Sequence, residues 1–111
     1  MSDSAPPPAF AGRTFLFRVD NGAEFRNTYS ADGGRLRWEG LGESAGQWDD
    51  VALHVAEVGP QLYFVNWTER SGLTVSHVMD LSALTVRVFW TYEGAGGRVG
   101  ELHTGTLEPV G

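Results

Sequence analysis

The sequence contains no cysteine and no lysine. Without thiols there is neither a disulfide framework nor a thiolate metal site, so packing and hydrogen bonding must supply the cohesion. That suits a reducing cytoplasm, which is the expected location. Without lysine, the eight basic residues are all arginines, scattered along the chain against 14 acids, for a net charge of −6. This balance repels phosphate backbones and argues against nucleic acid as a partner. The N-terminal stretch Met1 to Phe10 has no basic residue and no apolar run, and nowhere is there an apolar stretch long enough to cross a bilayer. Neither secretion nor membrane insertion is expected. Apolar residues at helical spacing over a long segment are also missing.

What the chain has is aromatic mass and turn residues: six phenylalanines, four tryptophans, three tyrosines and 15 glycines within 111 residues. That suffices for one core and one domain. The proline-rich stretch Ser2 to Pro8 buries little and donates few backbone hydrogen bonds, so residues 1–10 are expected to be a disordered lead-in and residues 11–111 the domain. Short β-branched and aromatic runs predict strands over about 13–20, 23–30, 34–39, 46–56, 61–69, 73–80, 84–92 and 98–108. The fourth carries an irregularity near Asp49-Asp50. Asn21-Gly22 reads as a type I′ hairpin turn, and Asp32-Gly33-Gly34 and Gly59-Pro60 mark further reversals. Short links make neighbours pair as a meander, and closure removes the two exposed edges that eight strands would otherwise leave. The expected fold is therefore all-β, a small closed eight-stranded antiparallel barrel.

The segment Gln61 to Leu81 sets the register of the interior. Arg70-Ser71-Gly72 fits a three-residue hairpin loop ending in a left-handed glycine. Glu69 then sits opposite Leu73, Trp67 opposite Val75, Val65 opposite His77 and Tyr63 opposite Met79, all on one face. The other face, with Phe64, Asn66, Thr68, Thr74, Ser76 and Asp80, is mostly polar, so the Trp67 face should be interior. Alternation elsewhere turns Phe15, Phe17, Val19, Phe25, Tyr29, Trp38, Val88, Trp90 and Tyr92 inward. The lumen is thus aromatic, with Glu69 and His77 as its ionisable outliers. Phe17, Val19, Tyr29, Trp38, Tyr63, Trp67, Val75, Trp90 and Tyr92 are the candidate ligand contacts.

A carboxylate alone in such a lumen must find partners or rise in pKa. Glu69 is either a general acid/base or ligand-orienting group, or a rim residue beside its hairpin, solvated or paired with Arg70. His77 is either a catalytic or ligand-bonding partner or a satisfied core histidine. His54, His77 and His103 lie on three different segments with no close metal-ligand spacing, so no metal is expected. Ser30, Ser44, Ser71 and Ser76 have no histidine at recognisable spacing for triad chemistry. The glycine-rich run Glu93 to Gly100 has no helix after it to cradle a phosphate, and reads as the last hairpin.

Three stretches, Phe17 to Glu24 (FRVDNGAE), Ala45 to Trp48 (AGQW) and Val65 to Ser76 (VNWTERSGLTVS), resemble phenolic acid decarboxylases, calycin-like barrels that work without a cofactor. The opening Ala11-Gly12-Arg13-Thr14-Phe15 and the closing Gly105-Thr106-Leu107 resemble the related molybdenum cofactor biosynthesis protein F-like family. The resemblance implies an acid/base role for Glu69, a small aromatic or conjugated acid as substrate, and a homodimer. It also implies losses: the decarboxylases' two first-strand tyrosines fall on Phe17 and Val19, and their third-strand arginine falls on Trp38, beside Arg37. Three functions follow as expectations: a cofactor-free lyase or isomerase using Glu69, a lipocalin-type binder of a small hydrophobic ligand, or a barrel packed shut whose role is structural.

Overall fold

The computed structural model describes residues 6–111. Nine strands form: β1 (Thr14–Val19), β2 (Glu24–Tyr29), β3 (Arg35–Leu41), β4 (Trp48–Ala52), β5 (His54–Gly59), β6 (Leu62–Thr68), β7 (Thr74–Asp80), β8 (Thr85–Gly94) and β9 (Gly97–Val110), with one 3₁₀ turn at Gly42–Ser44. They make a single sheet in the order β4-β3-β2-β1-β9-β8-β7-β6-β5, antiparallel throughout. The first and last strands pair, with Phe17 opposite Leu107, so the sheet curls into a nearly closed barrel.

The expected count of eight becomes nine because the fourth strand divides at Leu53. Its first half pairs with β3 and its second with β6, at opposite edges of the sheet. One straight strand cannot serve both edges, so the chain bends, and the Leu53 N–H bonds instead to the Gly34 carbonyl at 2.9 Å. Asp49 helps hold this seam. It is buried, accepts from the Arg70 backbone N–H at 3.5 Å and pairs with the Arg70 guanidinium at 3.6 Å.

The register around the β6–β7 loop is as the sequence predicts: Trp67 faces Val75, Val65 faces His77 and Tyr63 faces Met79. Gly72 closes the loop with φ 90°, donating to the Glu69 carbonyl. The β1–β2 connection repeats this design and differs from the expected type I′ turn. It is a three-residue loop, Asp20-Asn21-Gly22, in which Gly22 takes the positive φ and donates to the Val19 carbonyl. Asn21 keeps a negative φ because its side chain, not its backbone, completes the turn by accepting the Ala23 N–H. Gly105 serves closure, since a Cβ there would lie 2.4 Å from the Arg18 carbonyl oxygen across the β1–β9 pairing.

The barrel has one filled end and one open end. At the filled end Phe10 inserts between Tyr29 and Tyr63, with ring centroids 4.6 and 5.2 Å away, over Phe15, Leu36, Met79 and Val86. Phe10 is fully buried, and the neighbouring Ala9 N–H donates to the Tyr63 hydroxyl at 3.0 Å. The lead-in expected over residues 1–10 is therefore corrected at its end, because Phe10 covers apolar surface that the strands alone leave open. Residues 1–5 of that lead-in lie outside the described residues.

Candidate functional site: an aromatic cavity at the open end

The alternation of β1, β2, β3, β6, β7 and β8 carries their inward residues to a cavity of about 330 Å³ at the open end. Seven of the nine predicted ligand contacts line it: Phe17, Val19, Trp38, Trp67, Val75, Trp90 and Tyr92, together with Glu69 and His77. Tyr29 and Tyr63 do not. They face inward, but Phe10 draws them into the plug, where the Tyr29 hydroxyl donates to Met79 Sδ at 3.4 Å and Tyr63 holds Ala9. The inference that they contact a ligand is corrected accordingly.

The cavity also takes Phe25, Leu73 and Val88, expected to face inward but not named as ligand contacts, and Asn27, Ser44, Gln47 and Ser71, which were not expected there. Asn27 was legible, since the alternation that turns Phe25 and Tyr29 inward includes it. Ser44 and Gln47 were not, because they lie on the irregular segment after β3, where no strand period applies. That segment and the β6–β7 loop flank the mouth, beside a shallower depression of about 420 Å³ bounded by Trp48, Asp49 and Arg70.

Perpendicular rings line much of the wall. Phe25 stands at 88° to Trp38 and at 78° to Trp90, with centroids 5.9 and 6.5 Å away. Deeper in, His77 stacks on Phe17 at 5.2 Å and meets Trp67 edge-on at 4.9 Å. Among the described residues, the buried side-chain polar atoms without a hydrogen-bond partner are Asn27 Oδ1, Trp38 Nε1 and His77 Nδ1. All three residues line this one cavity. A buried unpaired polar group costs about 1–3 kcal/mol, so three around one space mark it as a place where something polar belongs.

Glu69 is half-buried at the mouth and is not alone. The Trp67 indole N–H donates to its Oε2 at 3.1 Å, while Arg70 turns away to Asp49. Burial raises the Glu69 carboxyl above its ordinary value, opposed by the Trp67 bond; the Asp49 carboxylate adds to the rise and the Trp38 indole N–H, outside hydrogen-bonding geometry, eases it. His77 is buried, and loss of solvent drives its pKa down to about 3, so it is neutral. Beside Trp90, on the inward face of β9, His103 bridges Asp20 and Glu101 at 2.7 and 2.9 Å, and Glu101 accepts from the Tyr92 hydroxyl. Its imidazole lies 4.8 Å from the Trp90 ring, and these bonds raise its pKa, that to Glu101 most. Glu101 and His103 lie directly opposite Trp90 and Val88, so this polar chain runs along the inward face of β9 at the open end and fixes Tyr92 and Trp90 from beside the cavity. Arg37 points outward, over Trp48 and paired with Asp50, as a one-residue step along a strand requires.

Fold and cavity together define an antiparallel barrel with a plugged floor and an open, aromatic lumen. The chain belongs to the MoaF-like family, whose model matches residues 11–104. It is similar over 96% of its length to the whole chain of a Burkholderia vietnamiensis protein named a "putative beta-lactamase", with 31% identity and a TM-score of 0.83. Two biotin complexes share the fold more distantly: bradavidin2, at 16% identity and TM-score 0.53 over 88% of this chain and 97% of its own, and rhizavidin, at 10% and 0.50 over 93% and 97%. Among curated proteins none matches the sequence. No helix among the described residues is long and apolar enough to cross a membrane.

Proposed function

We propose that the protein binds one small, largely apolar, unsaturated molecule in the lumen, held by polar contacts to Asn27, Trp38, His77 and Glu69. The observation that carries this is the coincidence of the three unpartnered buried polar atoms with one open cavity. A volume of about 330 Å³ falls within the usual range of ligand pockets. Barrels of this shape, bradavidin2 and rhizavidin, hold biotin. Calorimetric titration with a panel of small aromatic compounds tests the reading. Leu73→Trp, which fills the mouth from a half-buried position, should leave the fold intact and weaken any binding at least tenfold. Equal binding by both proteins would move the site elsewhere.

The β-lactamase name is not carried over. The sequence has no lysine, and neither Ser44 nor Ser71 is hydrogen-bonded to a basic side chain among the described residues. An acidic substrate of the phenolic acid type is also disfavoured, since no arginine lines the cavity. Pure protein incubated with p-coumarate should form no vinyl phenol; conversion at an enzymatic rate would show that Phe17, Val19 and Trp38 are compatible with that chemistry.

A second reading adds proton transfer by Glu69, as in a cofactor-free lyase or isomerase. It is favoured by the raised carboxyl, fixed by the Trp67 N–H beside the bound molecule. Glu69→Gln, which keeps an acceptor for Trp67, should then retain binding and lose turnover.

A further inference from the structure

The charges around the cavity are one-sided. No arginine lines it, and the two basic groups nearest the rim are already engaged: Arg70 with Asp49, and His103 between Asp20 and Glu101. Arg98 is held outside the barrel by the Thr91 hydroxyl and the Gly72 carbonyl. On the lining itself the ionisable groups are Glu69, Tyr92 and a neutral His77. Glu69 spends one oxygen on Trp67 and has the other free, since no second hydrogen bond reaches it. Facing the open end from the other elements are Asp49 on β4, His77 on β7, Tyr92 on β8, and the Glu101–His103 pair on β9, whose opposite charges offset each other.

The aromatic walls point the same way. Phe25, perpendicular to both Trp38 and Trp90, forms three sides of a box that is only partly buried and so open to an occupant. Ring faces carry negative quadrupole potential, and several rings at right angles favour a cation more than any neutral group of equal size. A carboxylate beside such a box strengthens the preference in a partly desolvated site.

Resting on the binding role above, we propose that the occupant is a small organic cation, its ammonium or quaternary ammonium group seated among Phe25, Trp38 and Trp90 and facing Glu69. The rest of the molecule lies deeper, between Phe17, Trp67 and His77, within reach of Asn27 Oδ1. A cation bound beside Glu69 favours the ionised carboxyl, so affinity rises with pH as the raised Glu69 titrates; an acidic ligand shows the opposite slope.

The test is calorimetry on the full chain with three probes of nearly one shape: benzyltrimethylammonium, its neutral carbon isostere neopentylbenzene, and the anion 3-phenylpropionate. The cation should bind at least tenfold more tightly than either of the others near pH 7. Glu69→Gln should erase most of that advantage, and the wild-type affinity for the cation should climb with pH as the Glu69 carboxyl ionises, a slope that Glu69→Gln removes. If the neutral or anionic probe binds as tightly, or Glu69→Gln leaves the cation's affinity unchanged, the cation assignment is overturned while the cavity stands as a binding site. If none of the three binds, the binding role fails with it.

Discussion

Below about pH 6.5 the protein should lose stability by up to about 1.4 kcal/mol per pH unit, and His77→Phe should remove most of that slope. His77 is buried against Phe17 and Trp67 and its pKa is driven from 6.5 down to about 3. The unfolded chain therefore takes up a proton that the folded chain refuses, so stability is full above about pH 6.5 and falls as the pH drops toward 3. Down to about pH 4.5 this effect is separable from the carboxylates. Asp20, Asp32 and Glu101 have lowered pKa values and lose their contribution only at more acid pH, while His103, raised, loses its own as the pH climbs above 6.5. Glu69, raised and half-buried, opposes the slope weakly. Phenylalanine keeps the stacked ring and removes the unpartnered Nδ1, so His77→Phe should also be the more stable protein near neutrality, by about 1–2 kcal/mol. Urea melts of both proteins across this range decide it. Parallel pH profiles would mean that His77 is solvated.

Phe10→Ala should cost about 3–5 kcal/mol, close to the whole stability of a small domain. Phe10 is fully buried, and its contacts with Tyr29 and Tyr63 tie the N-terminal turn to β2 and β6. Its removal leaves a void at the filled end and frees the Tyr63 hydroxyl from Ala9 if the turn lifts away. Phe25→Ala, at the partly exposed open end, should cost much less. Denaturant midpoints for the pair measure the difference. Near-equal losses would show that the N-terminal turn does not seal the barrel.

The strands were legible because two-residue alternation is strong wherever one face is buried and the other is wet. The stretch from Tyr63 to Met79 fixed its own register through the single glycine at position 72. Three features were hidden for physical reasons. The split at Leu53 depends on where the two sheet edges meet, which no local pattern encodes. Phe10 stands alone after three prolines, with no period to mark it as core, and its burial is a purely tertiary event. That burial then decides the fate of Tyr29 and Tyr63, whose inward direction was readable but whose depth relative to the plug was not. For the candidate site, the inward direction of Glu69, Trp67, Val75 and His77 was readable. That Trp67 donates to Glu69, and that Arg70 leaves Glu69 for Asp49, depended on the approach of β4 across the seam.

The most direct measurement is the behaviour of the four indole N–H groups in a proton–nitrogen correlation spectrum during titration with benzyltrimethylammonium. Trp38, Trp67 and Trp90 line the cavity, whereas Trp48 is half-exposed on the outside beneath Arg37. Occupation of the lumen should shift the first three signals together along one binding curve and leave Trp48 in place. Saturable shifts confined to Trp48, or no shift in any of the four, would contradict a ligand site inside the barrel.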